Sequence, residues 1–484
     1  MIRLFAVVVI GLTAPPVARA DGSIRTRIET ALKAWDVPGA AVVVVKADQT
    51  LFVDGVGVRT LGKPDPVTAD TVFPLASCTK AVTATLIAKL ADEQLLSWDD
   101  PVRKHLPTFH LSDPAADAAV TLRDMMCHRT GVAGNDLLWY RAAWNLDETF
   151  RRVAKLPPAG PFRASYQYSS IMVAAAGAAA ANRAGKPWDR LVREQITGPL
   201  GMGGVSFTTK AIPATAVRAG GHTTGKGGKV EPCEWYETTE PNPAGSVYLT
   251  AKDLEKWLKF QLGDGKPLLS SAALAETHTP HTVVPLTGSA AKMNPDTNLM
   301  SYALGWVVFD YRGHLAVGHG GHIDGFKALV TLFPKDGLAV GVLANRYETR
   351  MNQALTNAIA DSLLGLPAKD WDAILGKVVR EEEAEKRKAK EERARSRKAD
   401  VKPAFPLDRY AGRYEHPAYG TGTVRAAEKG LIWEWSTFRC PLEHWGEEQF
   451  RITAGPFEDQ LVEFRTALIG PVAVRFEGVV FERK

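Results

Sequence analysis

Phe73-Pro74-Leu75-Ala76-Ser77-Cys78-Thr79-Lys80 decides how this chain is read, because it sets a hydroxyl and an amine three residues apart at the start of a helical stretch. Residues at that separation share one helix face, so Ser77 and Lys80 fall within mutual reach. A serine hydroxyl is a poor nucleophile at neutral pH. A neighbouring amine whose charged form is disfavoured by burial can take its proton, and a helix N-terminus aims backbone N–H groups at an oxyanion forming beside it. The spacing alone proves little, since Ser77 also fits a helix N-cap with a surface lysine one turn on. Ser289-Ala290-Ala291-Lys292 repeats it. That second copy lies in loop-like text between Gly288 and Asn294-Pro295, whereas the first opens a helix expected over Thr79 to Leu96.

Outward from this stretch, the upstream text predicts a helix over Ile24 to Trp35, stopped by Val37-Pro38-Gly39. An antiparallel hairpin follows, from the β-branched run Ala41 to Val45 through the turn Lys46 to Gln49 into Thr50 to Val58. Downstream, Thr250 reads as the N-cap of a helix through Trp257 and Phe260. Lys327 to Phe333 and Leu338 to Leu343 flank the turn Pro334-Lys335-Asp336-Gly337, and a helix over Met351 to Leu364 closes this part of the chain. Arg380 to Lys402 mixes both charge signs with little to bury, which predicts a solvated helix or linker. Tyr410 to Lys484 alternates apolar and polar residues between turns, as in a small barrel or sandwich.

The chain has 484 residues, 45% of them hydrophobic and 23% charged, enough for a large globular domain and an accessory one. The net charge of +5 is small for this length and forms no basic stripe through the motifs, so nucleic acid is not an expected partner. Met1-Ile2-Arg3, the apolar run Leu4 to Leu12 and Ala18-Arg19-Ala20 read as a secretory leader cut after Ala20, which predicts a secreted or periplasmic protein. The run is too short for the roughly 20 residues of a membrane span. Cys78, Cys127, Cys233 and Cys440 lack the close pairing of a zinc site or disulfide framework, and Cys78 reads as a small buried residue beside the nucleophile.

Further segments follow in order: Val37-Pro38-Gly39-Ala40, Thr71-Val72-Phe73-Pro74, Met126-Cys127-His128-Arg129-Thr130-Gly131, Tyr168-Ser169-Ser170, Pro243-Ala244-Gly245-Ser246, Tyr302-Ala303-Leu304-Gly305-Trp306 and His319-Gly320-Gly321. With Ser77-x-x-Lys80 this order resembles the serine β-lactamase-like family of class C β-lactamases, penicillin-binding proteins, D-aminopeptidases and esterases. The resemblance covers most of Val37 to Asn345. It implies that Ser77 is acylated, that Lys80 and Tyr168 share proton transfer, and that the backbone N–H groups of Ser77 and His322 form the oxyanion hole. Tyr166 competes for the tyrosine's part, and register with Ser169 favours Tyr168. His128 is read as structural.

Two positions depart from the family pattern. Ser170 stands where an asparagine usually meets the acyl-side amide, and a hydroxyl offers fewer hydrogen bonds than a carboxamide. His319, counted among the catalytic residues, replaces the lysine of Lys-Thr-Gly; an imidazole titrating near neutrality lowers the fixed positive charge that would greet a substrate carboxylate. Gly320 and Gly321 let a substrate backbone approach closely. The resemblance thus points to an esterase or peptidase rather than a dedicated β-lactamase. His128, His314, His322 and Asp324 show no zinc-type spacing, so neither a metal nor another cofactor is expected.

The expected architecture is α/β of the α+β kind: an antiparallel sheet flanked by helices, a helical subdomain, and a C-terminal all-β, barrel-like domain. The expected divisions are 1–20 for the leader, 21–370 for the hydrolase, 371–404 for the charged linker and 405–484 for a lipocalin-like module. The substrate would be a small molecule or peptide with an ester, amide or lactam carbonyl. Two other readings stay open: a penicillin-binding or sensing protein that acylates without turnover, and a carrier that binds through its C-terminal module.

Overall fold

A computed structural model describes residues 17–484 apart from Ala399 and Lys429. The leader expected over 1–20 falls almost wholly outside the described residues. Gly39–Lys46 is apolar along nearly its whole length and buried on both faces, as a central strand must be. It pairs on one side with Gln49–Gly57 and on the other with Leu338–Ala344, both antiparallel. The sheet continues through Phe326–Phe333, His314–Ile323, Val307–Tyr311, Met300–Tyr302 and Thr282–Val283, eight strands in all. Register is set by pairs such as His319 with Val330 and Ala41 with Leu343. A one-residue slip would turn every side chain to the wrong face.

Each face of the sheet has its own core. One gathers Ile28, Val42, Val340, Leu355, Ile359 and Trp371 beneath the first helix, Val17–Ala34, and the later helix Met351–Leu363. The other packs Val43, Leu86, Met172, Leu254 and Trp306 between the sheet and the helical subdomain. There Ala251–Leu262 starts at a capping box in which Thr250 and Asp253 bond each other's backbone N–H. The helix after Ser77 runs from Thr79 to Asp92, short of the expected Leu96, because Gln94 turns into the left-handed region at φ +59°.

The charged stretch begins inside a longer helix than its composition suggested. Trp371–Arg395 buries Trp371, Leu375 and Val378 against the sheet domain, so only its second half is solvated. That half reaches the last domain, where Lys390 pairs with Asp459 at 2.6 Å. The last domain is a closed barrel of eight strands, Gly412–His416 through Val479–Arg483, sealed by pairing of Tyr414 with Arg483. Alternate residues fill its interior with rings: Trp433 lies 5.2 Å from Phe481 and Phe450 5.4 Å from Phe464.

Candidate active site

Ser77 sits in a 3-10 turn, Ala76–Cys78, that leads directly into Thr79–Asp92. Ala76 and Cys78 are buried, while Ser77 faces a cleft. The turn is held by a distant segment: Leu75 N–H donates to Val247 O at 2.8 Å, and Val247 N–H donates to Thr79 Oγ1 at 3.1 Å. Ala76 is forced to φ +47°, a conformation that costs a residue with a Cβ about 1–3 kcal/mol and gathers at functional sites.

Lys80 is fully buried, and its Nζ donates to Ser77 Oγ at 3.1 Å, Ser170 Oγ at 3.2 Å and Ala244 O at 2.9 Å. Burial pushes its ammonium down to about 7, only partly opposed by the negative charge of Asp136. Near neutrality, then, a large fraction of Lys80 is a neutral amine beside the Ser77 hydroxyl. The Tyr168 ring centroid lies 5.0 Å from Lys80 Nζ. Burial raises the Tyr168 phenol, opposed by hydrogen bonding with Ser77 and Ser170. Tyr166 lines the same cleft, but its phenol is raised by burial with no such opposing bond from Ser77. Ser170, the first residue of Ser170–Ala184, thus serves the lysine as an acceptor while also lining the cleft.

His319 corrects the sequence reading. It is 5% exposed, and both ring nitrogens are engaged: Nδ1–H donates to Gly320 O at 2.6 Å, so Nε2 accepts from Tyr302 Oη at 2.7 Å. Burial and the nearby Lys80 push its imidazole down to about 3. It therefore stays neutral rather than titrating near neutrality, and it anchors Tyr302. Tyr302, which opens the Tyr302-Ala303-Leu304-Gly305-Trp306 segment, bonds His319 and meets His128 edge-on with ring centroids 4.5 Å apart, which makes it part of the wall behind Tyr168. His128 accepts from Ser169 N–H through Nδ1 at 3.1 Å and so positions the Tyr168–Ser170 segment, as a structural histidine would.

The strand His314–Ile323 forms the opposite wall. A Cβ on Gly321 would lie 2.4 Å from Leu75 O and 3.0 Å from Ser77 N, so only glycine lets this strand approach the Ser77 turn. Replacing Gly321 with alanine is expected to push the two apart, lowering stability by about 1–3 kcal/mol and reducing any activity at Ser77; a denaturant melt and an ester assay on the same sample check both. Gly320 opens on the cleft, and His322 is exposed beside Tyr347 at its mouth. Gly305, at φ +76°, lies where a Cβ would meet Lys80 O at 2.6 Å.

Other flagged residues lie elsewhere. Ser289 and Lys292 belong to a short helix, Gly288–Met293, rather than a loop, and both turn to Trp371–Arg395: Ser289 donates to Glu382, and Lys292 to Glu381 at 3.4 Å. His314 meets Asp336 at 3.0 Å, and Asp324 accepts from Tyr140 and Arg141. The Cys78 thiol is pushed up to about 12 by burial and donates to His319 O, so it is no rival nucleophile.

Two cavities meet at Ser77. One, of about 980 Å³, is lined by Tyr166, Tyr168, His319, Gly320 and Gly321. The other, of about 1060 Å³, is lined by Ser170, Ala244 and Trp235 and by barrel residues. A family model described as Beta-lactamase matches residues 24–364. The chain belongs to the Beta-lactamase family. A second model, a domain of unknown function, DUF3471, matches residues 396–475, most of the barrel. Among curated proteins, the chain is 30% identical over 421 residues to unguisins hydrolase ungD' of Aspergillus campestris, covering 82% of this chain and 76% of that protein. It is 28% identical over 434 residues to unguisins hydrolase ungD of Aspergillus violaceofuscus, covering 83% and 76%. The octameric penicillin-binding protein homologue from Pyrococcus abyssi shares the fold, with a TM-score of 0.61 and 19% identity, over 95% of this chain and 99% of that one. This Beta-lactamase family member thus has hydrolases among its relatives and the family's sheet-and-helix fold, followed by a closed barrel.

Proposed function

We propose that the protein is a serine hydrolase that acts through an acyl-enzyme at Ser77 on ester or amide carbonyls, lactams included. One observation carries this reading: a fully buried lysine amine within hydrogen-bond reach of Ser77 Oγ, Ser170 Oγ and Ala244 O, so that in its neutral form two N–H groups serve Ser170 and Ala244 O and the lone pair accepts from Ser77 O–H. Neutral Lys80 takes the Ser77 proton as Oγ bonds to the substrate carbonyl carbon. The oxyanion is received at the Ser77 turn, where the strand containing Gly321 closes against Ser77 N. The leaving group departs with the proton returned from Lys80, directly or through Tyr168. Water, activated by the same base, then attacks the acyl carbon and releases a carboxylic acid and free Ser77.

Esters and amides without a required carboxylate suit the site better than penicillins. His319 occupies the place of the family's lysine and is neutral, so that position offers no cation. A barrel filled with aromatic rings does not suit a carrier. We further propose secretion or periplasmic residence from residues 1–20; a mature protein whose mass begins at Met1 would count against it.

The test is hydrolysis of p-nitrophenyl acetate and butyrate, with mass analysis of the protein during turnover. Steady release of nitrophenol with a transient acetyl group on Ser77 supports the reading. A permanent Ser77 adduct without turnover would instead make the protein a sensor, and labelling elsewhere would overturn the assignment. Because the neutral form of Lys80 is the base, kcat/KM is expected to fall about tenfold per unit as pH drops below about 7 and to level off above it. Stability is linked in the same direction. Between about 7 and the ordinary lysine value of 10.5 the unfolded chain binds a proton that the folded one does not, so stability rises with pH across that window.

A further inference from the structure

The second cavity is shared between domains. The barrel hairpin joining Gly430–Trp435 to Phe438–Gly446 projects into it, bringing Thr437, Phe438 and Arg439 to the lobe that Ser77 lines. The hairpin is fastened to the catalytic domain: Ala143 N–H donates to Ser436 Oγ at 3.0 Å, and Thr437 donates to Arg141 O. A second link lies beside it, from Tyr419 Oη to Asn135 Oδ1 at 3.0 Å.

Behind this wall the rings of Phe438 and Tyr236 are joined by Tyr140. Phe438 stacks on Tyr140, with centroids 6.5 Å apart and planes at 22°, and Tyr140 stacks on Tyr236 at 5.3 Å and 13°. Tyr140 Oη and Arg141 Nη2 then donate to Asp324 at 2.7 and 2.6 Å. Asp324 lies in the turn that follows His322 and Ile323. The barrel is thereby tied, through stacked rings and one carboxylate, to the end of the strand that walls the nucleophile.

The two lobes divide the substrate. Lys80 can return a proton on either side, because Tyr168 lines the first lobe and the lysine's own partners Ser170 and Ala244 line the second. Ser170, which holds the place of the family's acyl-side asparagine, lines only the second, which leaves the first to the leaving group. The acyl group then extends into the second, toward Trp235, Tyr236 and Phe438, in a lobe that Arg141, Glu237, Glu240 and Arg439 also line. We infer that the enzyme selects acyl groups bearing aromatic substituents, and that the barrel hairpin at Thr437 and Phe438 supplies the outer wall that selects them. Flat, weakly hydrated rings gain from stacking on such a wall and from the area they remove from water. This inference rests on the acyl-enzyme reading of Ser77.

The test compares kcat/KM for p-nitrophenyl 4-phenylbutyrate with that for p-nitrophenyl acetate, which share a leaving group. The full-length protein is expected to prefer the aromatic acyl group by about tenfold or more. Thr437→Trp fills the lobe from the barrel side, and Tyr236→Ala removes its ring from the other domain. Each is expected to lower the ratio about tenfold. Tyr236→Ala carries the test if the barrel variant fails to fold. A ratio unchanged in the folded variants, or a full-length protein that prefers acetate, overturns the inference while leaving Ser77 acylation standing. Failure to hydrolyse either ester, with no adduct on Ser77 in the protein's mass, overturns the acyl-enzyme reading itself.

Discussion

Replacing Ser77 with alanine is expected to abolish ester hydrolysis, with kcat falling by about 10⁴-fold or more, and to remove the acetyl adduct from the protein's mass during turnover. The size of the effect follows from covalent catalysis. Without Oγ there is no acyl-enzyme, and what remains is binding and the polarisation of the carbonyl at the turn. The fold should be little affected, because Ser77 reaches the cleft while its neighbours Ala76 and Cys78 carry the packing of the turn. Ser289→Ala is the matching control. Its hydroxyl is spent on Glu382 and its lysine on Glu381, so activity should match that of the unaltered protein. Retained activity in Ser77→Ala, or loss in Ser289→Ala, would reverse the assignment of the two Ser-x-x-Lys copies.

Lys80→Met is expected to lower kcat/KM by about 10²–10⁴-fold and to erase the fall in activity below pH 7. Methionine keeps the length and the apolar stem but has no basic nitrogen, so Ser77 must lose its proton unaided. The change also tests why the lysine is tolerated. A buried amine is costly unless its hydrogen bonds are made, and here Ser77, Ser170 and Ala244 O supply them. Methionine removes the desolvation cost together with those bonds, so thermal stability near pH 7 should change little while activity falls. Equal loss of both would mean that Lys80 is structural. A fall in activity that leaves the acid limb in place would hand the titration to another group.

Much of the fold was legible because its signals are local. The β-branched run at Ala41 to Val45, the turn at Pro334 to Gly337 and the Thr250 cap are short-range patterns, and the chain forms the elements they predict, within a residue or two. Errors arose where context outside the pattern intervened. The Ser77 helix stops at Gln94, and the charged stretch became half of a helix anchored by Trp371, Leu375 and Val378, because packing supplied what composition did not advertise. At the site, the Ser77–Lys80 contact was readable from one turn of helix.

By itself, then, the sequence determined the family, the pairing of hydroxyl and amine, and the order of elements that brings Tyr168 and the Gly320-Gly321 strand toward Ser77. Only the tertiary structure decided what those groups are chemically. Lys80 owes its lowered basicity to burial, its Nζ is placed by a carbonyl 164 residues away at Ala244, and the left-handed Ala76 turn is held by Val247. His319 is neutral because burial and the nearby Lys80 lower its imidazole, against the opposing bond to Gly320 O. Protonation state depends on solvent exclusion and on partners distant in the chain, and neither is written in local spacing.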